Sequence, residues 1–189
     1  MRRIFPKFGL SRFLSGWSIG VATLISLNFA LAAQQPPSKE VEIQREAMQK
    51  LAFLGGKWSG PVTIVRGPGE PLRMIQTEEV QYKLDGLVLL VEGKSSGSDG
   101  KPQFSALATI SFDDASKTYR IRAFNDGHYL DNELTVLPDG FAWGFDSGQA
   151  HIQNTMRLTA KGEWQETTEV VLGNSPPRRS VEMLLQHQP

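Results

Sequence analysis

The chain of 189 residues contains no cysteine. Without cysteine there is no disulfide, no thiolate metal site, no lipidated N-terminal cysteine and no cysteine nucleophile. The sequence also lacks a His-Glu-x-x-His helix, a phosphate-binding loop and a Gly-x-Gly-x-x-Gly turn that opens a helix. It therefore nominates no catalytic residue and favours a binding protein over an enzyme.

An excess of positive charge is also missing. All 20 acidic residues follow residue 33, whereas four of the 20 basic residues precede it, which leaves 16 basic against 20 acidic side chains and a net charge of −4 for residues 34–189. Nucleic-acid binding needs a basic face. Nucleic acid is therefore not an expected partner.

The first 33 residues have the three parts of an export signal. Arg2, Arg3, Lys7 and Arg12 form a basic start, residues 17–31 are mostly apolar, and small residues at 30–33 suit a signal peptidase. We expect cleavage near residue 32 or 33 and a periplasmic or extracellular protein. An uncleaved membrane anchor is the alternative, although the apolar stretch is shorter than a spanning helix prefers. The adjacent arginines leave open either the general or the twin-arginine export pathway.

Residues 34–37 are predicted to form a short linker, followed by a single domain over 38–189. Ile43, Ala47, Leu51 and Leu54 recur at helical spacing, which predicts an amphipathic helix from Ser38 to a left-handed stop at Gly55. After Gly56 the chain alternates apolar and polar residues between short turns. Strands are predicted at 58–66, 72–84, 87–93, 104–113, 118–124, 129–137, 141–145, 151–158, 163–172 and 179–186.

About ten strands joined by short turns should pair antiparallel, in an up-and-down β-barrel or a sandwich. The barrel is favoured because long strands suit a curved wall and the helix can cover one end. The segment Gly56-Lys57-Trp58-Ser59-Gly60 marks the first strand. Trp58 is expected to plug that barrel end.

Four segments carry a resemblance to a known family: LAFLGGKWSG at 51–60, GLVLLVEG at 86–93, YRIRAF at 119–124 and GEW at 162–164. Over residues 48–186 the chain resembles a family of often exported bacterial proteins catalogued as a domain of unknown function. The resemblance implies a calycin barrel, related in architecture to lipocalins, fatty-acid-binding proteins and the haem-binding nitrobindins. In lipocalins a basic residue covers the equivalent tryptophan, and here the resemblance suggests Arg179 or Arg157.

Polar residues interrupt several apolar rows of the predicted strands, in which residues two apart share a face. If these rows face inward, their polar groups need partners. They either form an internal hydrogen-bond network or converge on a small hydrophobic or amphipathic ligand. The residues are Gln76, Glu78, Asn132, Asn154, Glu166 and Thr168.

Arg120 and Arg122 share one face of their strand. They either hold a ligand carboxylate inside the barrel or form an outer ladder of ion pairs. His128, near Asp131, is weak support for a loop metal site, and His151 and His187 suggest solvated side chains. One histidine in an apolar barrel would suffice for haem, so composition leaves haem open.

Three hypotheses follow. The leading one is a non-enzymatic exported barrel that binds or carries a small hydrophobic or amphipathic molecule. The second is a haem-dependent or hydrolytic enzyme in the same barrel. The third is a structural or envelope-interaction module whose interior is filled. No stable membrane span is expected after cleavage of the signal, and the oligomeric state does not follow from the sequence.

Overall fold

The computed structural model describes residues 36–189, so the predicted signal at 1–33 lies outside the described residues. A helix, α1 (Lys39–Gln49), precedes ten strands. The strands are β1 (Gly56–Ile64), β2 (Leu72–Lys83), β3 (Val88–Ser96), β4 (Pro102–Asp113), β5 (Thr118–Asn125), β6 (His128–Leu137), β7 (Gly140–Ser147), β8 (Ala150–Leu158), β9 (Trp164–Leu172) and β10 (Arg178–Gln188).

Every strand pairs antiparallel with its neighbours in the chain, and β1 also pairs with β10. The result is a closed up-and-down barrel of ten strands. Closure leaves no unpaired sheet edge. The predicted fold is therefore confirmed, and the strand bounds agree with the prediction to within a few residues.

Turn chemistry sets the register of neighbouring strands. Between β5 and β6, Asn125 pairs with His128, and the two residues between them, Asp126 and Gly127, have φ angles of 47° and 76°. A two-residue type I′ hairpin needs positive φ at both positions, which aspartate and glycine adopt more readily than β-branched residues. The Asp-Gly pair thus fits the observed register of these two strands.

Helix α1 ends earlier than predicted, at Gln49, and a short 3-10 turn follows at Ala52–Leu54. Gly55 has a φ of −56° and is not the left-handed stop. The positive φ lies at Gly56, at 118°, where a Cβ atom would come within 2.3 Å of a ring nitrogen of His187. The early end has a packing reason, because Met48, Leu51 and Leu54 are all fully buried at one end of the barrel.

Two tyrosines attach the end of α1 to the barrel. The hydroxyl of Tyr82 in β2 donates to the carbonyl of Met48 at 2.7 Å, and that of Tyr119 in β5 donates to the carbonyl of Ala47 at 2.8 Å. The same two carbonyls also accept from the backbone N–H groups of Lys50 and Leu51, so each tyrosine adds a second donor. These two side-chain hydrogen bonds hold the end of α1 against one end of the barrel, which α1 covers. Of the helices within residues 36–189, none is long and apolar enough to cross a bilayer.

Candidate ligand site in the barrel lumen

Trp58 lies at the closed end and is almost fully buried. Its indole nitrogen donates to the carbonyl of Leu54 at 2.9 Å, and its ring meets the edge of Trp164 with centroids 5.7 Å apart. His187 packs against Trp58 in the same edge-on manner at 4.8 Å. A buried indole needs both a hydrogen-bond partner and close packing. Trp58 has both.

The prediction that Arg157 or Arg179 covers Trp58 is wrong. Arg157 pairs with Asp139, and Arg179 lies 3.4 Å from Glu182; all four side chains are about half exposed. The residue that packs on Trp58 is His187, whose side chain is exposed, as the sequence suggested. Its ring nitrogen lies 3.4 Å from the carbonyl oxygen of Gly55, a contact across 132 residues of chain.

Cross-strand pairs identify the side chains that face the lumen, because residues directly opposite in antiparallel strands share a face. Buried Trp58 is opposite Glu78, which is opposite Gly93. On the other side of the barrel, buried Met183 is opposite Glu166. Apart from the tyrosine, histidine and arginine side chains at the two barrel ends, the polar residues on inward rows include Gln76, Glu78, Ser95, Asn125, Asn132, Asn154, Glu166 and Thr168. All six polar residues predicted from strand alternation are among them.

Glu78 is held in a small network of polar side chains. Gln76 donates from its amide nitrogen to Glu78 Oε1 at 2.7 Å, and the Ser95 hydroxyl donates to the Gln76 amide oxygen. A Cβ atom at Gly93 would lie 2.8 Å from Glu78 Oε1, so glycine leaves the space that the carboxyl group occupies. Burial, followed by the charge of Glu166, raises the pKa of Glu78 to about 8, against a smaller lowering by Gln76. Glu78 is therefore mostly protonated at neutral pH.

Glu166 forms the second acidic position. Its Oε2 accepts a hydrogen bond from the indole nitrogen of Trp164 at 3.0 Å, which connects it to the closed end. Burial raises the pKa of Glu166 more than this hydrogen bond lowers it. On the adjacent strand, the Thr168 hydroxyl donates to the amide oxygen of Asn154 at 2.7 Å. The Glu166 and Asn154 side chains each retain a polar atom without a hydrogen bond to residues 36–189.

Two further asparagines lie on inward rows of β5 and β6. Asn132 makes no side-chain hydrogen bond to any described residue, and Asn125 Oδ1 is buried without a partner among residues 36–189. The sequence had assigned Asn125 to a turn and Ser95 to a loop, so neither was predicted as a site residue. Longer strands than expected place both on the inner wall.

Arg120 and Arg122 do not line the lumen. They alternate along β5 with Tyr119 and Ile121, which pack inward, and both pair with Asp131 on the outer face. The hydrogen bond from Arg120, assisted by both positive charges, lowers the pKa of Asp131. The two arginines therefore belong to an outer ladder of ion pairs and do not face a ligand carboxylate inside the barrel.

The histidines do not fit a haem ligated deep in the barrel. His128 is exposed at the open rim, His151 pairs on the surface with Asp146 at 2.8 Å, and His187 covers the closed end. An axial ligand has to project toward the iron. Within residues 36–189, no group of three metal-ligating side chains comes together, which leaves His128 and Asp131 without a third ligand.

Residues 93–97 also spell Gly-x-Ser-x-Gly, a pattern that in serine hydrolases forms a sharp turn between a strand and a helix. In this protein Gly93 and Ser95 lie within strand β3, and Ser95 donates to Gln76 rather than to a histidine. The segment is not a nucleophile elbow.

The inner wall retains accessible surface. Val91, Ala108 and Trp143 pack against the buried core on inward rows, yet each is only partly buried. Glu166 is surrounded by protein and still keeps some accessible surface. These inward-facing side chains form an inner wall that is apolar except for the polar residues described above.

The fold is similar to the crystal structure of Rv2717c from M. tuberculosis, with a TM-score of 0.57 and 13% sequence identity. The match covers 76% of this chain and 98% of the other. No protein-family model matches the chain, and no curated protein matches it in sequence. The likeness shows a shared fold, while membership of the bacterial family and kinship with nitrobindin stay predictions.

Proposed function

We propose that this protein binds a small hydrophobic or amphipathic molecule in the barrel lumen. The observation that supports it most is the inner wall itself, where Glu78, Glu166 and Asn154 interrupt apolar rows that keep accessible surface. Small-molecule sites are typically concave and apolar, with a few polar groups that orient the ligand. Trp58 closes one end, so a ligand would enter from the other.

Incomplete hydrogen bonding supports the same proposal. Burial of an unpaired polar group costs free energy, so such groups normally have a partner in the protein, in water or in a ligand. Among residues 36–189, Asn125 Oδ1 is buried without a partner, and Asn132 and Asn154 each have an unpartnered polar atom that is not fully buried. A bound molecule or internal water would supply these partners.

Blocking the lumen tests the proposal. We expect the protein to bind the uncharged fluorescent probe N-phenylnaphthylamine, and Ala108→Phe to weaken this binding by about tenfold or more, because the added ring projects into the lumen. The adjacent Thr109→Phe is the matched control, since residue 109 alternates with 108 and faces outward. Fluorescence titration gives both affinities.

An outer groove is the main rival site for the probe. It has a volume of about 410 Å³ and includes Phe124 and Tyr129, exposed rings whose centroids lie 5.1 Å apart. Probe binding that survives Ala108→Phe and is lost in Phe124→Ser would contradict the proposed site. Failure of the wild type to bind the probe, together with destabilisation by Ala108→Phe, would indicate a filled interior and a structural module.

We also propose that the protein is exported, on the basis of residues 1–33. The basic start, apolar stretch and small residues near 32 are the features that direct export. Expression of the full chain in a bacterial host should yield a periplasmic protein whose N-terminus is Ala33 or Gln34, as determined by N-terminal sequencing. A membrane-bound product that retains Met1 would instead indicate an uncleaved anchor.

A further inference from the structure

We infer that the ligand is an amphipathic amine whose ammonium group lies between the carboxylates of Glu78 and Glu166. This inference rests on the proposed function, because it specifies the polar group of a ligand that occupies the lumen. The hydrocarbon part would lie along the apolar wall near Ala108 and Trp143.

The two carboxyl groups have free bonding capacity. Glu78 Oε1 accepts from Gln76 and Glu166 Oε2 accepts from Trp164, while the other oxygen of each group accepts no hydrogen bond from residues 36–189. Glu78 lies opposite Trp58, and the Trp164 ring that bonds Glu166 packs against Trp58 with centroids 5.7 Å apart, so both acids lie beside the same pair of rings. An ammonium group has three donors and no acceptor, which suits two carboxylates with free oxygens.

Asn154 offers a further polar contact, independent of the acidic pair. Its side chain is only 8% exposed and lies on an inward row, and its amide makes a single hydrogen bond, with Thr168. When the amide is oriented so that its nitrogen donates to Thr168, its oxygen is free to accept a hydrogen bond from an ammonium group.

Among residues 36–189, no positively charged side chain lies in the middle of the lumen. The inward rows of residues 36–189 contain no lysine, arginine or histidine between the two barrel ends. The other titratable or charged groups at the ends of these rows are Tyr82, Tyr119 and His187 at the closed end, and His128 and Arg178 at the open rim. A ligand carboxylate would meet two acids and no cation in the middle of the lumen.

Ionisation of Glu78 lowers the affinity for an amine at neutral pH. With a pKa of about 8, Glu78 can lose its proton at pH 7 at a cost of about tenfold in affinity, and this cost disappears above pH 8. Attraction between unlike charges is stronger inside a protein than in water. Binding of an amine should therefore release a proton and strengthen as the pH rises from about 6 to 8.

The test compares three molecules with the same hydrocarbon chain. Decylamine, decanol and decanoate are each titrated against protein loaded with N-phenylnaphthylamine, at pH 6 and pH 8. We expect decylamine to displace the probe at least tenfold more effectively than decanol at pH 8, with decanoate the weakest. The double variant Glu78→Gln, Glu166→Gln should bind amine and alcohol equally, whereas Glu79→Gln, on the outer face, should keep the preference.

The outcomes separate this inference from the proposed function. Equal displacement by decylamine and decanol in the wild-type protein would overturn the amine assignment and leave lumenal binding intact. A preference for decylamine that persists in the folded double variant would overturn it as well, because the acidic pair would not be the cause. If the probe does not bind the lumen at all, the proposed function fails first.

Discussion

Replacement of Trp58 by alanine is expected to lower the free energy of unfolding by about 3–5 kcal/mol. The side chain is almost fully buried and contacts both Trp164 and His187. Its removal leaves a cavity where β1 meets the end of α1, and it leaves the carbonyl of Leu54 without its indole donor. Loss of packing and loss of a buried hydrogen bond both lower the free energy of unfolding. Equilibrium unfolding in urea measures the change.

His187 provides the matched comparison at the same end of the barrel. Because His187 covers Trp58 from the solvent side, His187→Ala should cost only about 1 kcal/mol, in the range of an aromatic pair. Equal stability of wild type and Trp58→Ala would show that the indole is not part of the core. If His187→Ala lowered the free energy of unfolding more than Trp58→Ala does, His187 rather than Trp58 would be the main core residue at this end of the barrel.

The stability of the barrel should fall as the pH rises from about 4.5 to 8. The pKa of Glu78 is about 8 in the folded protein, against an ordinary value of 4.5. A group whose pKa is raised by folding stabilises the protein fully below the unfolded pKa, and this stability is lost as the pH rises through the folded pKa. The expected loss is several kcal/mol, with an upper bound of about 4–5. Glu166 contributes in the same direction.

Glu78→Gln separates this effect from other causes of pH dependence. Glutamine keeps the shape of the side chain and does not ionise, so the variant should lose much less stability between pH 5 and pH 8 than the wild type. The Glu79→Gln variant, altered at the adjacent outward position, should follow the wild-type curve. Chemical unfolding at a series of pH values gives the three curves, and superimposable wild-type and Glu78→Gln curves would exclude Glu78 as the buried titrating group.

Local patterns predicted most of the fold. Alternation located the ten strands, and turn residues such as Asp126 and Gly127 located the hairpins, because both signals act over a few residues. The same alternation placed Glu78 and Glu166 on rows that the structure shows to face inward. These rows are defined by spacing along one strand, so they could be read without knowing any tertiary contact.

Contacts between distant segments could not be predicted in this way. The contact of His187 with Trp58 joins the two ends of the domain, and nothing in the local sequence distinguishes His187 from a solvated residue. Ser95 lies in a stretch rich in serine and glycine that is typical of a loop, yet pairing with β2 extends β3 to Ser96. Helix α1 also ends earlier than its periodicity predicts. Leu51 and Leu54 are fully buried at the barrel end, but a 3-10 turn at Ala52–Leu54 places them there instead of a longer helix.

A crystal structure of the protein bound to decylamine would show directly whether the barrel interior is the binding site. We expect the nitrogen between the carboxyl groups of Glu78 and Glu166, with the alkyl chain along the inner wall toward the open rim. Trp58 should stay in place below it. A lumen filled by its own side chains, or decylamine bound only in the outer groove at Phe124 and Tyr129, would contradict the claim that the barrel interior is the binding site.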